Sequence, residues 1–302
     1  MSNILMTGAT GFIGTNLNHF LNNFFFNIFK LDLRNSTSIK IAHDIDVVVH
    51  LAGKAHDLKN ITNSNEYYQV NTELTKTVFD AFLDSKAKVF ITLSSVKAVA
   101  DVLDGVLTED QTPNPITHYG KSKLLAEQYI LSKQISEGKR VYIIRPCMIH
   151  GSGNKGNLNL LYKLVSKGIP WPLGAFDNKR SFCSIDNLML IIKELINRED
   201  IPSGVYNVAD DEALSTNEVI SLLSVSQNRK PKIWILPKGL IKAFAKLGDL
   251  LQLPLTTERL QKLTESYVVS NQKIKSAIGK NLHVSAKDGL FKTFNSFHTN
   301  AQ

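Results

Sequence analysis

Two cysteines, Cys147 and Cys183, are all that the 302 residues contain. Neither belongs to a metal-spaced cluster, and two thiols make no secreted disulfide scaffold, so both are expected reduced in or near a core. The eight histidines show no HExxH or comparable ligand spacing, and no metal is expected. The N-terminus has no basic region followed by an apolar stretch, so it does not resemble a signal peptide. The densest apolar patch, Phe24-Phe25-Phe26 with Ile28 and Phe29, is far too short to cross a bilayer. A cytoplasmic protein without a membrane partner is the expectation. Helix-turn-helix, zinc-finger and lysine-rich-tail patterns are missing as well, and no nucleic-acid partner is expected. Ser94 and Ser95 lack a G-x-S-x-G turn, which argues against hydrolysis. Neither repeats nor low-complexity tracts occur.

What is present is an ordinary globular composition, 43% hydrophobic and 21% charged. The length suits one continuous unit with two lobes. A formal charge of +8 is compatible with phosphate-bearing ligands and equally with a merely basic surface. The chain opens on Asn3-Ile4-Leu5-Met6-Thr7, a buried-strand pattern, followed at once by Gly8-Ala9-Thr10-Gly11-Phe12-Ile13-Gly14. Glycines at GxxGxxG spacing suit a strand-to-helix turn where backbone approaches a ligand closely. The amides opening the next helix then face a pyrophosphate. This start points to a dinucleotide.

Residues 12–21 predict a helix and 24–31 a second strand. The apolar run Asp46-Val47-Val48-Val49-His50-Leu51 reads as a strand covered on both faces. Between Asp32 and Asp46 there is too little chain for a full crossover unit, so one element is expected to be shortened or missing. Helices over 66–83 and 118–133 alternate with strands over 88–93 and 140–145, the rhythm of an open parallel sheet. After Cys147 glycines break the chain. A helix over 158–167, a short strand over 181–185, a helix from about 186 and a late strand over 205–208 follow. Ser215 and Glu218 form a capping-box pattern.

Tyr119 and Lys123 stand four apart at the beginning of a predicted helix, on one face. A lysine so placed lowers the cost of forming phenolate, and such a tyrosine exchanges a proton with a sugar hydroxyl as hydride moves. Ser94-Ser95 ends a buried strand, where the reactive groups of doubly wound sheets gather.

Together these motifs resemble the extended short-chain dehydrogenase/reductase family, in its nucleotide-sugar epimerase/dehydratase branch. Ser95, Tyr119-Gly120-Lys121-Ser122-Lys123 and the glycine turn carry the likeness. His50-Leu51-Ala52-Gly53, Val70-Asn71-Thr72, Arg145-Pro146 with Gly151, and Arg180-Ser181-Phe182 follow in the family's order over roughly residues 3–210. The resemblance implies an α/β fold, a Rossmann-type doubly wound parallel sheet with a smaller mixed C-terminal substrate lobe. Residues 1–150, with 181–210 returning, would bind NAD(P), and 151–180 with 211–302 would form the substrate lobe.

It further implies Tyr119 as acid/base, Lys123 on the nicotinamide ribose, and Ser95 orienting the sugar's 4-oxygen. Cofactor contacts fall on Gly8, Thr10, Gly11, Phe12, Ile13, Gly14, Asp32, Arg34, Asp44, Leu51, Ala52, Gly53, Asn71, Ser94 and Pro146. Substrate contacts fall on Lys97, Met148, Asn157 and Arg180. Asp32 favours NAD, whereas Arg34 keeps NADP open. Met148 stands where many members place a substrate-binding asparagine, with Asn157 as a substitute. The acidic pair of the 4,6-dehydratases is missing after Ser95, which ranks dehydration low. Ser95-Val96-Lys97 and the segment over 51–57 are similar to a subgroup acting on N-acetylated or 6-deoxy sugars. The implied activity is an NAD-dependent 4-epimerase acting on a UDP-hexose or UDP-N-acetylhexosamine through a 4-keto intermediate. The alternatives are an NAD(P)H-dependent 4-keto-6-deoxy nucleotide-sugar reductase and a non-catalytic dinucleotide-binding protein. The family also implies a homodimer through the helices over 66–83 and 118–133.

Overall fold

Val47–His50 and Val89–Leu93 are buried along their whole length, as strands covered on both faces must be. The computed structural model describes residues 2–34, 39–54, 64–154, 156–251 and 255–299. Its strands are β1 (Ser2–Thr7), β2 (Phe26–Leu31), β3 (Val47–His50), β4 (Val89–Leu93), β5 (Val106–Leu107), β6 (Arg140–Pro146), β7 (Met148–His150), β8 (Arg180–Ser184), β9 (Gly204–Val208), β10 (Ala213–Leu214) and β11 (Val268–Val269). Its helices are α1 (Phe12–Leu21), α2 (Ser64–Tyr67), α3 (Leu74–Leu83), α4 (His118–Leu131), α5 (Asn157–Ser166), α6 (Ile185–Asn197), α7 (Thr216–Ser226), α8 (Lys238–Leu251), α9 (Thr257–Thr264), α10 (Gln272–Ile278) and α11 (Ala286–Thr299).

The main sheet is parallel throughout, in the order β2-β1-β3-β4-β6-β9. Side chains alternate across it with period two. Ile4, Met6, Val47, Val49 and Ile91 share one core with Leu17 of α1 and Leu188, Ile191 and Ile192 of α6. Leu5, Val48, Phe90 and Ile143 face the other way, onto Phe79 and Phe82 of α3 and Ile130 of α4. A helical layer on each face is what parallel crossovers require. Tyr267, Val269, Ile274 and Ile278 return late in the chain to the first of these cores. A separate core gathers Leu158, Trp171, Phe182, Leu223, Ile241, Leu260 and Phe294 around α5, α7, α8, α9 and α11.

The structure adjusts several boundaries. The second strand begins at Phe26, not residue 24: Phe25 is exposed, and Lys193 Nζ stands 3.8 Å over the Phe24 ring. The short strand near 181–185 is β8, which pairs with β7 and β10 outside the main sheet. The helix expected over 66–83 is interrupted by a π-helical stretch, Tyr68–Glu73, between α2 and α3. Wide turns of this kind occur often at functional sites. Between β2 and β3 the described residues form no helix, in keeping with the short connection. Ser215 and Glu218 make the expected capping box on α7. No helix among the described residues is long and apolar enough to cross a membrane.

Candidate active site

The chain leaves β1 for β2 on one side and returns to β3 on the other, so a crevice opens at the C-terminal ends of β1 and β3. The glycine turn lies there. Gly8 has φ +65°, and a Cβ on it would lie 2.5 Å from the Ala52 amide nitrogen. A Cβ on Gly14 would lie 2.3 Å from the Gly8 carbonyl oxygen. These two glycines let strand, turn and helix close on one another. Gly11 differs: its nearest neighbour to an added Cβ is Gly8 O at 3.3 Å, and it is the exposed N-cap of α1. Its missing side chain leaves the mouth of the crevice open, as close approach of a pyrophosphate requires. Thr10 is exposed beside it, while Phe12 and Ile13 turn partly into the core.

Beneath this turn a hydrogen-bonded chain ties β1, β3 and the π-helix together. The Ala52 amide donates to Thr7 Oγ1 at 3.2 Å, and Thr7 Oγ1 lies 2.7 Å from His50 Nδ1. His50 Nε2 lies 3.0 Å from Thr75 Oγ1, whose hydroxyl donates to the Asn71 carbonyl. The direction of those bonds assigns the Nε2–H tautomer, with Thr7 donating to Nδ1. Complete burial, with the Lys123 charge adding to it, pushes His50 down to about 3, so the ring is neutral. Asn71 is fully buried and clamps two segments. Its Oδ1 accepts from the Lys54 amide at 2.8 Å, and its Nδ2 donates to Lys54 O and to Ser122 Oγ. The π stretch carries Asn71 inward to make these bonds.

Ser95 caps a short 3₁₀ turn, Val96–Ala98, directly after β4, its Oγ accepting from the Lys97 amide at 3.2 Å. Its hydroxyl also stands near the Tyr119 phenol. Thr117 caps α4, and Asp101 accepts from the Ile116 and Thr117 amides, which anchors the start of that helix to the serine loop. Tyr119 is half-buried, with the Tyr67 ring edge-on at 6.1 Å. Burial raises its phenol, and the nearby Ser95 hydroxyl opposes that rise. Lys123 is buried, donates from Nζ to the Leu93 carbonyl at 2.8 Å, and is lowered by burial to about 8. A Cβ on Gly53 would come within 3.2 Å of both Lys123 Nζ and Asn71 Oδ1. Ser94 Oγ is buried without a hydrogen-bond partner among the described residues. Ser95, Tyr119, Lys123, Asn71, Gly53 and Ser94 thus converge below the glycine turn.

An NAD-dependent epimerase/dehydratase family model matches residues 4–209. The chain belongs to that family. UDP-glucose 4-epimerase of Vibrio cholerae is 32% identical over 97% of this chain and 95% of its own length. An Escherichia coli O157:H7 relative, N-acetyl-alpha-D-glucosaminyl-diphospho-ditrans,octacis-undecaprenol 4-epimerase, is 30% identical over 76% of this chain and 73% of its own. Among solved structures, UDP-glucuronic acid 4-epimerase from Bacillus cereus in complex with NAD superposes with a TM-score of 0.76. It is 21% identical and covers 99% of this chain and 100% of that one, a likeness of fold.

Other residues expected in this family member's site lie apart from the convergence. Asp32 and Arg34, just past the exposed edge strand, pair with each other, and Arg34 holds the Asp32 carboxyl down to about 2. Asp44 is exposed, and its carbonyl accepts from the Asn3 side chain. Leu51 and Ala52 line the crevice after β3, and Pro146 ends β6 in the core. Met148 packs against the core of the second lobe. Arg180 donates to Glu265 at 3.1 Å. Lys97 Nζ donates to the Asp101 carbonyl and sits 4.4 Å over the Tyr267 ring. Residues 55–57 and the Asn157 side chain lie outside what the structure describes. Sequence reasoning missed Glu265 and Tyr267, which reach Arg180 and Lys97 from far along the chain without any local pattern. It also missed the Arg145–Glu127 pair, although Glu127 continues the four-residue spacing of Tyr119 and Lys123.

Proposed function

We propose that this family member is an NAD-dependent 4-epimerase of a hexose or N-acetylhexosamine carried on a diphosphate, a UDP-sugar first. The convergence of Ser95, Tyr119 and a buried Lys123 below the glycine turn carries the reading. Gly8, Gly11 and Gly14 would hold the dinucleotide's pyrophosphate, and Lys123 with Gly53 and Asn71 would border its nicotinamide ribose. When bound, that group supplies an acceptor for the C4 hydride and its return. Tyr119 as phenolate takes the 4-hydroxyl proton, and the Ser95 hydroxyl orients that oxygen. The Lys123 ammonium favours negative charge at the site. The 4-keto sugar then turns to offer its other face for the hydride's return to C4, and Tyr119 gives the proton back to the 4-oxygen. Arg180 would leave Glu265 to grip a phosphate bidentately. Lys97 and Asn157 would contact the substrate, with residues 151–180 and 211–302 serving as its lobe.

Both curated relatives act on a hexose 1-diphosphate, which supports the substrate class. Asp32 beside the crevice favours NAD over NADP. Cys147 and Cys183 are buried free thiols, suited to a reducing cytoplasm. A homodimer through α3 and α4 would cover Leu125 and Leu131, both exposed.

The test is conversion of UDP-N-acetylglucosamine or UDP-glucose to its C4 epimer with catalytic NAD, followed chromatographically. Tyr119→Phe should lower turnover by about three orders of magnitude while retaining the fold. Unchanged turnover in that variant would overturn the assignment. Stoichiometric NAD(P)H oxidation by a UDP-4-keto-6-deoxy sugar, without epimerisation, would replace it with a 4-keto reductase.

A further inference from the structure

Three charged side chains lie in the layer between α4 and the sheet. Lys123 is 9% exposed, Arg145 4% and Glu127 2%. A buried ion is costly unless its charge is met, so their arrangement is informative. Tyr119, Lys123 and Glu127 succeed one another at four-residue steps along one face of α4. Arg145 reaches over from β6 and donates Nε to both Glu127 carboxylate oxygens, at 3.0 and 3.1 Å, with Nη2 closing the fork. That clamp holds the carboxylate in one place. A carboxylate offers about four acceptor positions, and the fork leaves some of them free. Lys123 and Glu127 both border one small void of about 10 Å³, together with Asn71, Thr92 and Ser94. Such a space holds one water at most.

The groups around Lys123 come from every packed element. β3 presents His50, which is neutral, kept so by burial and by the Lys123 charge. β4 presents the Leu93 carbonyl and Ser94, the π-helix Asn71, and α3 Thr75, all neutral. Its own helix presents Tyr119 and Glu127, and β6 places Arg145 behind Glu127. Among these described groups Glu127 supplies the negative charge, and it opposes the effect of burial on Lys123.

We propose that Glu127, clamped by Arg145, is a positioning residue that serves as the counter-ion keeping Lys123 an ammonium beneath the cofactor crevice. The catalytic meaning of this pair rests on the proposed function, but the pairing itself does not. The site is thus charged from the core side, through a residue that touches neither substrate nor cofactor.

The experiment reads Lys123 directly in the intact protein. Trace acetic anhydride labels it across about pH 6 to 11, and peptide mass spectrometry follows the extent, with exposed Lys121 as reference. In Glu127→Gln the Lys123 midpoint should fall by about one to two pH units. Glu127→Asp should keep most of the wild-type midpoint. If an unpaired Arg145 prevents Glu127→Gln from folding, Glu127→Gln with Arg145→Met removes both charges, and its midpoint should still fall, by less. A midpoint unmoved in a folded variant overturns the proposal. Turnover is measured on the same samples. An alkaline limb of activity moving with the label ties the pair to catalysis. An unmoved limb refutes the catalytic meaning of the pair, wild-type turnover in Tyr119→Phe refutes the proposed function, and in either case the labelling result still decides the pairing.

Discussion

Alanine placed at Gly8, Gly11 or Gly14 should separate the glycines that build the turn from the one proposed to serve the ligand. At Gly14 the new methyl would sit 2.3 Å from Gly8 O, 2.7 Å from Ala9 Cα and 2.9 Å from the Ala9 carbonyl carbon. All three neighbours are backbone, so α1 must move off the turn, at about 2–3 kcal/mol for overpacking. Gly8→Ala adds a positive φ to contacts of 2.5–2.8 Å with Leu51 and Ala52, and should cost at least as much. Gly11 has φ −75° and ψ 172°, which alanine adopts freely, and its tightest contact would be 3.3 Å. Losing a glycine N-cap leaves a cost of about 1 kcal/mol or less. The same methyl projects where a pyrophosphate would approach, and should weaken NAD binding at least about tenfold, or about 1.4 kcal/mol. Urea denaturation gives the stabilities and calorimetric titration with NAD gives the affinities. Gly11→Ala that binds NAD normally, or that is as unstable as Gly14→Ala, would refute the assignment of roles.

Two further outcomes are expected. His50 has a folded-state value of about 3 against about 6.5 when unfolded, so its neutral burial stabilises fully above about pH 6.5 and less as pH falls toward 3. Between pH 6.5 and 5 this amounts to about 2 kcal/mol, and the loss of stability between those pH values should be smaller by about that much in His50→Asn. An equal loss in both proteins, by urea denaturation, would show that His50 charges freely in the fold. Asn71→Ala strands the Lys54 amide and carbonyl and leaves Ser122 Oγ only its bond to the Tyr119 carbonyl, and should cost about 2–4 kcal/mol. A cost below about 1 kcal/mol would mean that the π-helical turn holds its place without the side chain.

Much of this protein is decided locally, and so is open to reading in order along the chain. The run of valines before His50 must be covered on both faces wherever it lies, and a glycine turn after an N-terminal strand has few uses. Tyr119 and Lys123 share a face because helical periodicity puts them there, and Ser95 follows a strand whose end must reach the same edge of the sheet. The rest depends on packing between distant segments. A π-helical turn has no period of its own in a sequence that reads as one helix over 66–83, and it forms here with Asn71 bonding to Lys54 and Ser122. Arg180 meets Glu265, and Lys97 meets Tyr267, across some eighty-five and a hundred and seventy residues respectively. Glu127 looks like one more polar helix residue until β6 lays Arg145 beside it. The sequence by itself determined which groups exist and which faces are apolar, because propensity and periodicity act over a few residues. Only the tertiary structure decided which buried charges meet, because desolvation and pairing depend on neighbours that the chain brings together late.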